Sequence, residues 1–203
     1  MRPLVTGGAG FIGSHVVDAF VAAGHHVAVV DNLHSGKLAN VNPQAAFYHV
    51  DIRDAEALGS VFAQEQPEVI AHQAALADVR GSLQDPAGYA EVNLIGSIHL
   101  LELARQHGVR KVVYASTGGA VYGEPEFLPV TEDHPINPLD PYGASKHAVE
   151  HYLFLYQHNY GLDYVILRYP NVYGPRQDPL GEAGVVAIFT GRMLAGQPCT
   201  ING

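Results

Sequence analysis

A chain that runs straight from a short apolar strand into Gly7-Gly8-Ala9-Gly10-Phe11-Ile12-Gly13 has few folds open to it. Pro3 to Val5 read as the strand, and Phe11, His15, Val16, Ala19 and Phe20 then recur at helical spacing. Glycines at such a junction let the backbone turn sharply. They also let it come close enough for its N–H groups to hydrogen-bond a pyrophosphate. The helix N-terminus that follows adds unpaired donors and a partial positive charge. Two triplets overlap here, Gly8/Gly10/Gly13 as G-x-G-x-x-G and the evenly spaced Gly7/Gly10/Gly13.

Context sharpens that motif. A second apolar strand, Val27 to Val30, ends in Asp31, which lies 18 residues after Gly13. A carboxylate there accepts from both adenosine ribose hydroxyls and repels a 2′-phosphate, so the pattern predicts NAD rather than NADP.

The rest of the chain alternates strand and helix. Strands are expected near Ala46 to Val50, Glu68 to His72, Lys111 to Ser116 and Leu162 to Tyr169. Asp54 is placed to cap a helix through Leu58, Val61 and Phe62. A long helix is expected from Pro86 to its stop at Gly108, a second from Pro141 to Tyr160, and a further helical pattern over Val185 to Ala195. Near-continuous apolar strands separated by helices predict an α/β fold, a doubly wound parallel sheet with its ligand crevice at the carboxyl ends of the strands. Gly7 to Gly13, Asp31, Asp51, His72, Ser116 and Tyr169 all fall at those ends.

Composition removes several functional classes. The 203 residues are 47% hydrophobic and 15% charged, enough for a large core. A net charge of −9 argues against nucleic acid or an anionic membrane as partner. No apolar run reaches transmembrane length. The single Cys199 and the lack of a signal-peptide pattern lead us to expect a cytoplasmic protein. The twelve histidines are scattered, without a paired cysteine or an H-E-x-x-H, so no metal is expected.

Tyr142 and Lys146 form a Y-x-x-x-K whose members share one helix face. An isolated tyrosine is a poor base at neutral pH. A lysine cation beside it, together with a positive nicotinamide, favours the phenolate. The preceding strand ends in Ser116-Thr117, where a hydroxyl can share the substrate proton with Tyr142.

Taken together, the glycine loop, Asp31, Asp51-Ile52, His72-Gln73-Ala74-Ala75, Asn93, Ser116-Thr117, Val121-Tyr122-Gly123, Tyr142/Lys146 and Asn171-Val172-Tyr173-Gly174-Pro175-Arg176 resemble the extended short-chain dehydrogenases/reductases. Within them the chain is most similar to the UDP-glucose (UDP-galactose) 4-epimerase group. The resemblance implies that Gly7, Gly10, Phe11, Ile12 and Gly13 hold the NAD pyrophosphate. Asp31 and Asn32 would take the adenosine ribose, and Asp51 and Ile52 would line the adenine pocket. Ala74, Ala75 and Asn93 would border the ribose and nicotinamide. Tyr169 would meet the cofactor and Asn171 the sugar nucleotide. Tyr142 would be the base, Lys146 its electrostatic partner and ribose ligand, and Thr117 the hydroxyl partner, with Ser116 as competitor for that last role. The implied domains are 1–170, binding NAD and carrying the Tyr/Lys pair, and 171–203, the start of a truncated substrate-binding domain; either the chain is a fragment or the sugar site is completed differently.

The implied activity is 4-epimerisation of a UDP-sugar through a transient 4-keto sugar. The nearest rival is a nucleotide-sugar 4,6-dehydratase or decarboxylase, whose relatives carry acidic groups after the Ser/Thr. Here Gly118, Gly119 and Ala120 supply none. A rival of another class is a catalytically silent NAD-binding module. The helices at 86–107 and 141–160 carry apolar residues beyond what one sheet face needs: Tyr89, Leu94, Ile98 and Leu101 in the first, and Tyr152, Leu155 and Tyr156 in the second. A homodimer through these helices is therefore expected.

Overall fold

The computed structural model describes residues 1–179 and 184–201. Its sheet begins with β1 (Pro3–Thr6), which enters α1 (Phe11–Ala22) through the glycine loop and returns as β2 (Ala28–Asp31). There follow β3 (Ala46–His49), α2 (Ala55–Glu65) and β4 (Val69–His72). Next come α3 (Val79–Gln84), α4 (Pro86–Ala90), a π-helical turn at Glu91–Ile95 and α5 (Gly96–Gln106). The chain closes with β5 (Lys111–Thr117), α6 (Pro141–Tyr160), β6 (Asp163–Tyr169) and α7 (Val185–Leu194).

All six strands run parallel, in the order β3-β2-β1-β4-β5-β6. That is the doubly wound order, and its strand sequence reverses at β1 and β4. Every residue of β1 and β2 is buried, which explains why neither strand alternates apolar with polar side chains. Leu4, Ile70 and Val112 belong to the larger core cluster with Phe62, Leu100 and Leu153. On the opposite face, Val5 and Val29 pack with Val17 of α1.

Local signals set the helix boundaries. Asp54, Asp85 and Asp140 each accept a backbone N–H three residues ahead, capping α2, α4 and α6. Pro86 and Pro141 occupy the first helical position, where a missing N–H costs nothing. Gly161 in the left-handed region ends α6.

Two expectations need correction. The helix after Pro86 is not regular, because its second turn widens to a π-turn. Ser97 donates its hydroxyl to the Asn93 carbonyl at 2.5 Å within this irregular stretch. Moreover, Tyr89 and Leu101 are buried within the chain's own interior, so they do not contribute to a free apolar stripe. α3 has no counterpart in the sequence reading; its six residues are too few to show a helical period.

Candidate active site

The glycine loop is shaped by close packing on itself. Gly7 takes φ +70°, its N–H donates to Val30 O at 2.8 Å, and Gly10 N donates back to Gly7 O at 3.1 Å. A Cβ at Gly13 would lie 2.1 Å from that same Gly7 oxygen. The α1 cap, Gly10, provides no side-chain acceptor, and no acidic residue stands in the first turn. The opening amides of α1 are thus left for a ligand, and an anionic one is favoured.

Asp31, at the end of β2, faces this loop. Its Oδ2 accepts from Ala9 N at 3.0 Å and its Oδ1 from Leu33 N at 2.8 Å. Asn32 beside it donates to Asp51 Oδ2 at 2.8 Å. Asp51 is also gripped by Arg53, through Nε at 3.0 Å and Nη2 at 2.8 Å. These hydrogen bonds from Arg53 hold the Asp51 carboxyl well below the usual carboxylate range. Arg53 lines the cleft but went unread in the sequence, where it is a single arginine in a polar turn.

A buried relay underlies the floor of the site. The Ser97 hydroxyl hydrogen points to the Asn93 carbonyl, so the Ser97 oxygen accepts from His72 Nε2 at 2.8 Å. His72 Nδ1 then accepts from Thr6 Oγ1 at 2.7 Å, and Thr6 Oγ1 accepts from Ala74 N at 3.3 Å. This network assigns His72 as the neutral Nε2–H tautomer. Burial, reinforced by the nearby Lys146, pushes its pKa down to about 3. In the unfolded chain the imidazole titrates near its ordinary 6.5, so the stability tied to its neutral form is complete above pH 6.5 and is lost as pH falls toward 3. Lowering the pH from 7 to 4.5 should therefore cost about 2–3 kcal/mol through this group alone. Urea unfolding of wild type and His72→Gln at both pH values tests it: the variant should lose correspondingly less on acidification, and equal losses would refute the assignment.

Asn93 departs from expectation. It is buried and does not line the cleft. Its Oδ1 accepts from Leu76 N at 2.8 Å, while its Nδ2 donates to Leu76 O at 3.0 Å and to Ser145 Oγ at 3.0 Å. It ties the 74–77 loop to α6, a bracing contact that sequence spacing could not distinguish from a ligand contact.

At the other end of the cleft, Tyr142 and Lys146 project from the first turns of α6. Lys146 is buried, with Nζ 4.4 Å from the centroid of the Tyr114 ring. Burial pushes its pKa down to about 7, and the Glu150 carboxylate partly opposes that drop. Thr117 Oγ1 accepts from Gly119 N at 3.2 Å, which leaves its own proton to give. Ser116 instead commits its hydroxyl to Glu150 Oε1 at 2.5 Å.

The glycine loop, the Asp31–Asp51 side and the Thr117, Tyr142 and Lys146 side chains open on one cleft of about 840 Å³ at the carboxyl ends of the strands. Gly7, Gly10, Phe11, Ile12, Gly13, Asp31, Asn32, Asp51, Ile52, Ala74 and Ala75 line one part of it. Ser116, Thr117, Tyr142, Lys146, Tyr169 and Asn171 line the other. The residues suit a dinucleotide: unpaired amides for a diphosphate, a carboxylate for ribose hydroxyls, and an apolar wall at Ile52 for an adenine. Among the described residues, no group of three or more His, Cys, Asp or Glu is placed to hold a metal. None of their helices is long and apolar enough to cross a membrane.

A doubly wound sheet, a glycine loop and a Tyr–Lys pair opening on one crevice define a dinucleotide-dependent α/β domain of the short-chain dehydrogenase/reductase class. The model of the NAD dependent epimerase/dehydratase family matches residues 3–203, and the chain belongs to that family. It is 50% identical over 208 residues to a UDP-glucose 4-epimerase of Mycolicibacterium smegmatis, covering all of this chain and 66% of the relative. Among solved structures it resembles the Thermus thermophilus UDP-glucose 4-epimerase in complex with NAD, with TM-score 0.95, 56% identity, and 99% of this chain and 65% of that one covered. The Thermotoga maritima UDP-glucose 4-epimerase with UDP-glucose superposes with TM-score 0.97 at 51% identity, covering 100% and 66%. The chain therefore spans about two thirds of the length of these relatives.

Proposed function

We propose that this chain provides the cofactor-binding and proton-transfer part of an NAD-dependent nucleotide-sugar 4-epimerase, acting on UDP-glucose and UDP-galactose. The observation that carries the reading is the opening of Thr117, Tyr142 and Lys146 onto the same cleft as the glycine loop. Gly7 to Gly13 and Asp31 would hold NAD, which when bound would supply the hydride acceptor and donor for carbon 4 of the sugar. Tyr142 as phenolate takes the proton of the sugar 4-hydroxyl and later returns it. The Lys146 cation favours that phenolate, and the Thr117 hydroxyl hydrogen-bonds the reacting oxygen. Residues Gly118 to Ala120 offer no acid or base for eliminating water or carbon dioxide, which favours epimerisation over the dehydratase and decarboxylase alternatives.

The cleft wall continues past β6 through Pro170, Asn171, Val172 and Gln177. His15 meets Pro175 O at 2.9 Å, and Arg176 pairs with Asp18 at 2.7 Å, so this segment is fastened back over α1. That supports residue 171 as the start of the sugar-binding unit. The relatives named for UDP-glucose and UDP-galactose chemistry support the sugar class. The complete reading frame, loaded with NAD and given UDP-galactose, should yield UDP-glucose and no 4-keto-6-deoxy sugar; formation of the keto product alone would replace this reading by a dehydratase.

Asp31 leads to a prediction about the cofactor. A 2′-phosphate set against this carboxylate is opposed by like charge, so NAD should bind at least about tenfold more tightly than NADP. Equal affinities by calorimetry would sink the argument.

We also propose a homodimer, with a cytoplasmic setting that accords with the lone Cys199. With Tyr89 and Leu101 buried, the outward apolar residues are Ile95 beside α5 and Phe154, Leu155 and Tyr160 of α6, the last three 45–58% exposed. Sedimentation at micromolar concentration should give a dimer, and a clean monomer would reject the pairing of these helices.

A further inference from the structure

Behind the catalytic strand lies an ion pair to which the proton-transfer scheme assigns no proton. Glu150 sits one helical turn beyond Lys146 on α6, and Arg168 is the next-to-last residue of β6. Glu150 is only 6% exposed. Arg168 donates through Nε to Oε1 at 3.0 Å and through Nη2 to Oε2 at 2.6 Å, a two-pronged grip. Ser116 donates to Oε1, and His147 Nδ1 lies 3.2 Å from Oε2. The remaining nitrogen of Arg168, Nη1, donates to Tyr122 Oη at 2.8 Å, with the guanidinium 5.1 Å from that ring's centroid.

These contacts share a target. Ser116 lies in β5 two residues before the turn at Gly118 to Ala120, and Tyr122 lies two residues after it. Between them Gly118 N donates to Tyr169 O at 2.7 Å. The turn also rests on the first turn of α6, where a Cβ at Gly143 would come within 2.6 Å of Ala120 O. Gly143 is the neighbour of Tyr142, so any slip of the turn changes the spacing between Thr117 and Tyr142. A buried ion pair is weak support for stability, since apolar replacements are often as stable or more so. Its geometry is the more informative property.

We propose that Glu150 and Arg168 form a clamp that fixes the Thr117 turn against the Tyr142 end of α6, so that both hydroxyls meet one substrate oxygen. Glu150 is then a positioning residue, and its role in turnover rests on the epimerase reading. The test uses the complete reading frame with NAD bound. Glu150→Gln keeps the shape and loses the charge, and should lower kcat by roughly 10- to 100-fold while KM for UDP-galactose stays within about threefold. Amide hydrogen exchange at Gly118 to Val121 should quicken by about tenfold or more, with β1 and β4 unchanged. Because this variant strands the Arg168 charge, the neutral pair Glu150→Gln/Arg168→Gln is measured beside it; it should recover thermal stability but not kcat. Either variant folding and turning over within about threefold of wild type would overturn the clamp, as would unchanged exchange in the turn. If the wild type does not epimerise, the epimerase reading fails, and exchange in the NAD-bound protein still decides the clamp.

Discussion

Tyr142→Phe should lower kcat by at least about a hundredfold, corresponding to roughly 2.7 kcal/mol of lost transition-state stabilisation. The substitution keeps the ring volume and removes only the hydroxyl. Tyr142 stands in the first turn of α6, whose start is fixed by Pro141 and by Asp140 accepting from Gly143 N at 2.7 Å. Neither depends on the phenol, so the helix and its buried Lys146 should stay in place. NAD contacts along Gly7 to Gly13 lie at the other end of the cleft, and NAD affinity should change by no more than about twofold. Steady-state rates at saturating UDP-galactose, with NAD binding measured on the same preparation, separate the two effects. Turnover within about threefold of wild type would remove Tyr142 from the chemistry.

A single methyl group at position 13 should be nearly as damaging to binding as the lost phenol is to rate. On helix propensity alone, Gly13→Ala should stabilise α1 by up to about 1 kcal/mol. The local packing reverses that sign. The added Cβ would lie 2.1 Å from Gly7 O and 2.7 Å from Gly7 C, both backbone atoms. Gly7 cannot retreat freely, because its N–H is tied to Val30 O and its own Cβ position abuts Ala74 N at 2.7 Å. The first turn of α1 must therefore move away from β1, and overpacking of this kind costs about 1–3 kcal/mol. The amides that remain for a diphosphate move with it. Gly13→Ala should weaken NAD binding by at least about a hundredfold, or ~2.7 kcal/mol. Calorimetric titration with NAD, with urea unfolding alongside, checks both figures; affinity within about tenfold of wild type would show that the loop can open without loss.

The same packing explains what could be read without coordinates. Strand ends and helix starts are marked by residues that act on their neighbours, such as Asp54, Pro141 and the glycines, so their positions followed from local chemistry. Asp31 and the Tyr142/Lys146 pair were legible because their spacing has a chemical reason. The π-turn was not, since apolar residues at 92, 95 and 98 fit an ordinary helix as well as a widened one. Nor was the inward use of Tyr89 and Leu101, because a surplus of apolar residues does not say whether it faces a partner or a second layer of the same chain. Glu150 and Arg168 were missed for a different reason. Each reads as a charge on a helix or an edge strand, the usual mark of a solvated face, and only the fold brings them together in the interior. A charged residue one turn beyond Lys146, in line with Val149 and Leu153, was the sole hint.

Asp31 holds a constraint on how such a chain could ever change its coenzyme. Both carboxylate oxygens already hold backbone amides, one from Ala9 in the glycine loop and one from Leu33 in the turn after β2. A descendant selected for a phosphorylated dinucleotide must discard the negative charge, and in doing so it releases the loop that seats every dinucleotide alike. Discrimination between coenzymes and the shape of the shared seat are thus inherited together. Escape requires an uncharged acceptor such as an asparagine carbonyl to take over the loop's amide in the same step as a cation arrives for the phosphate.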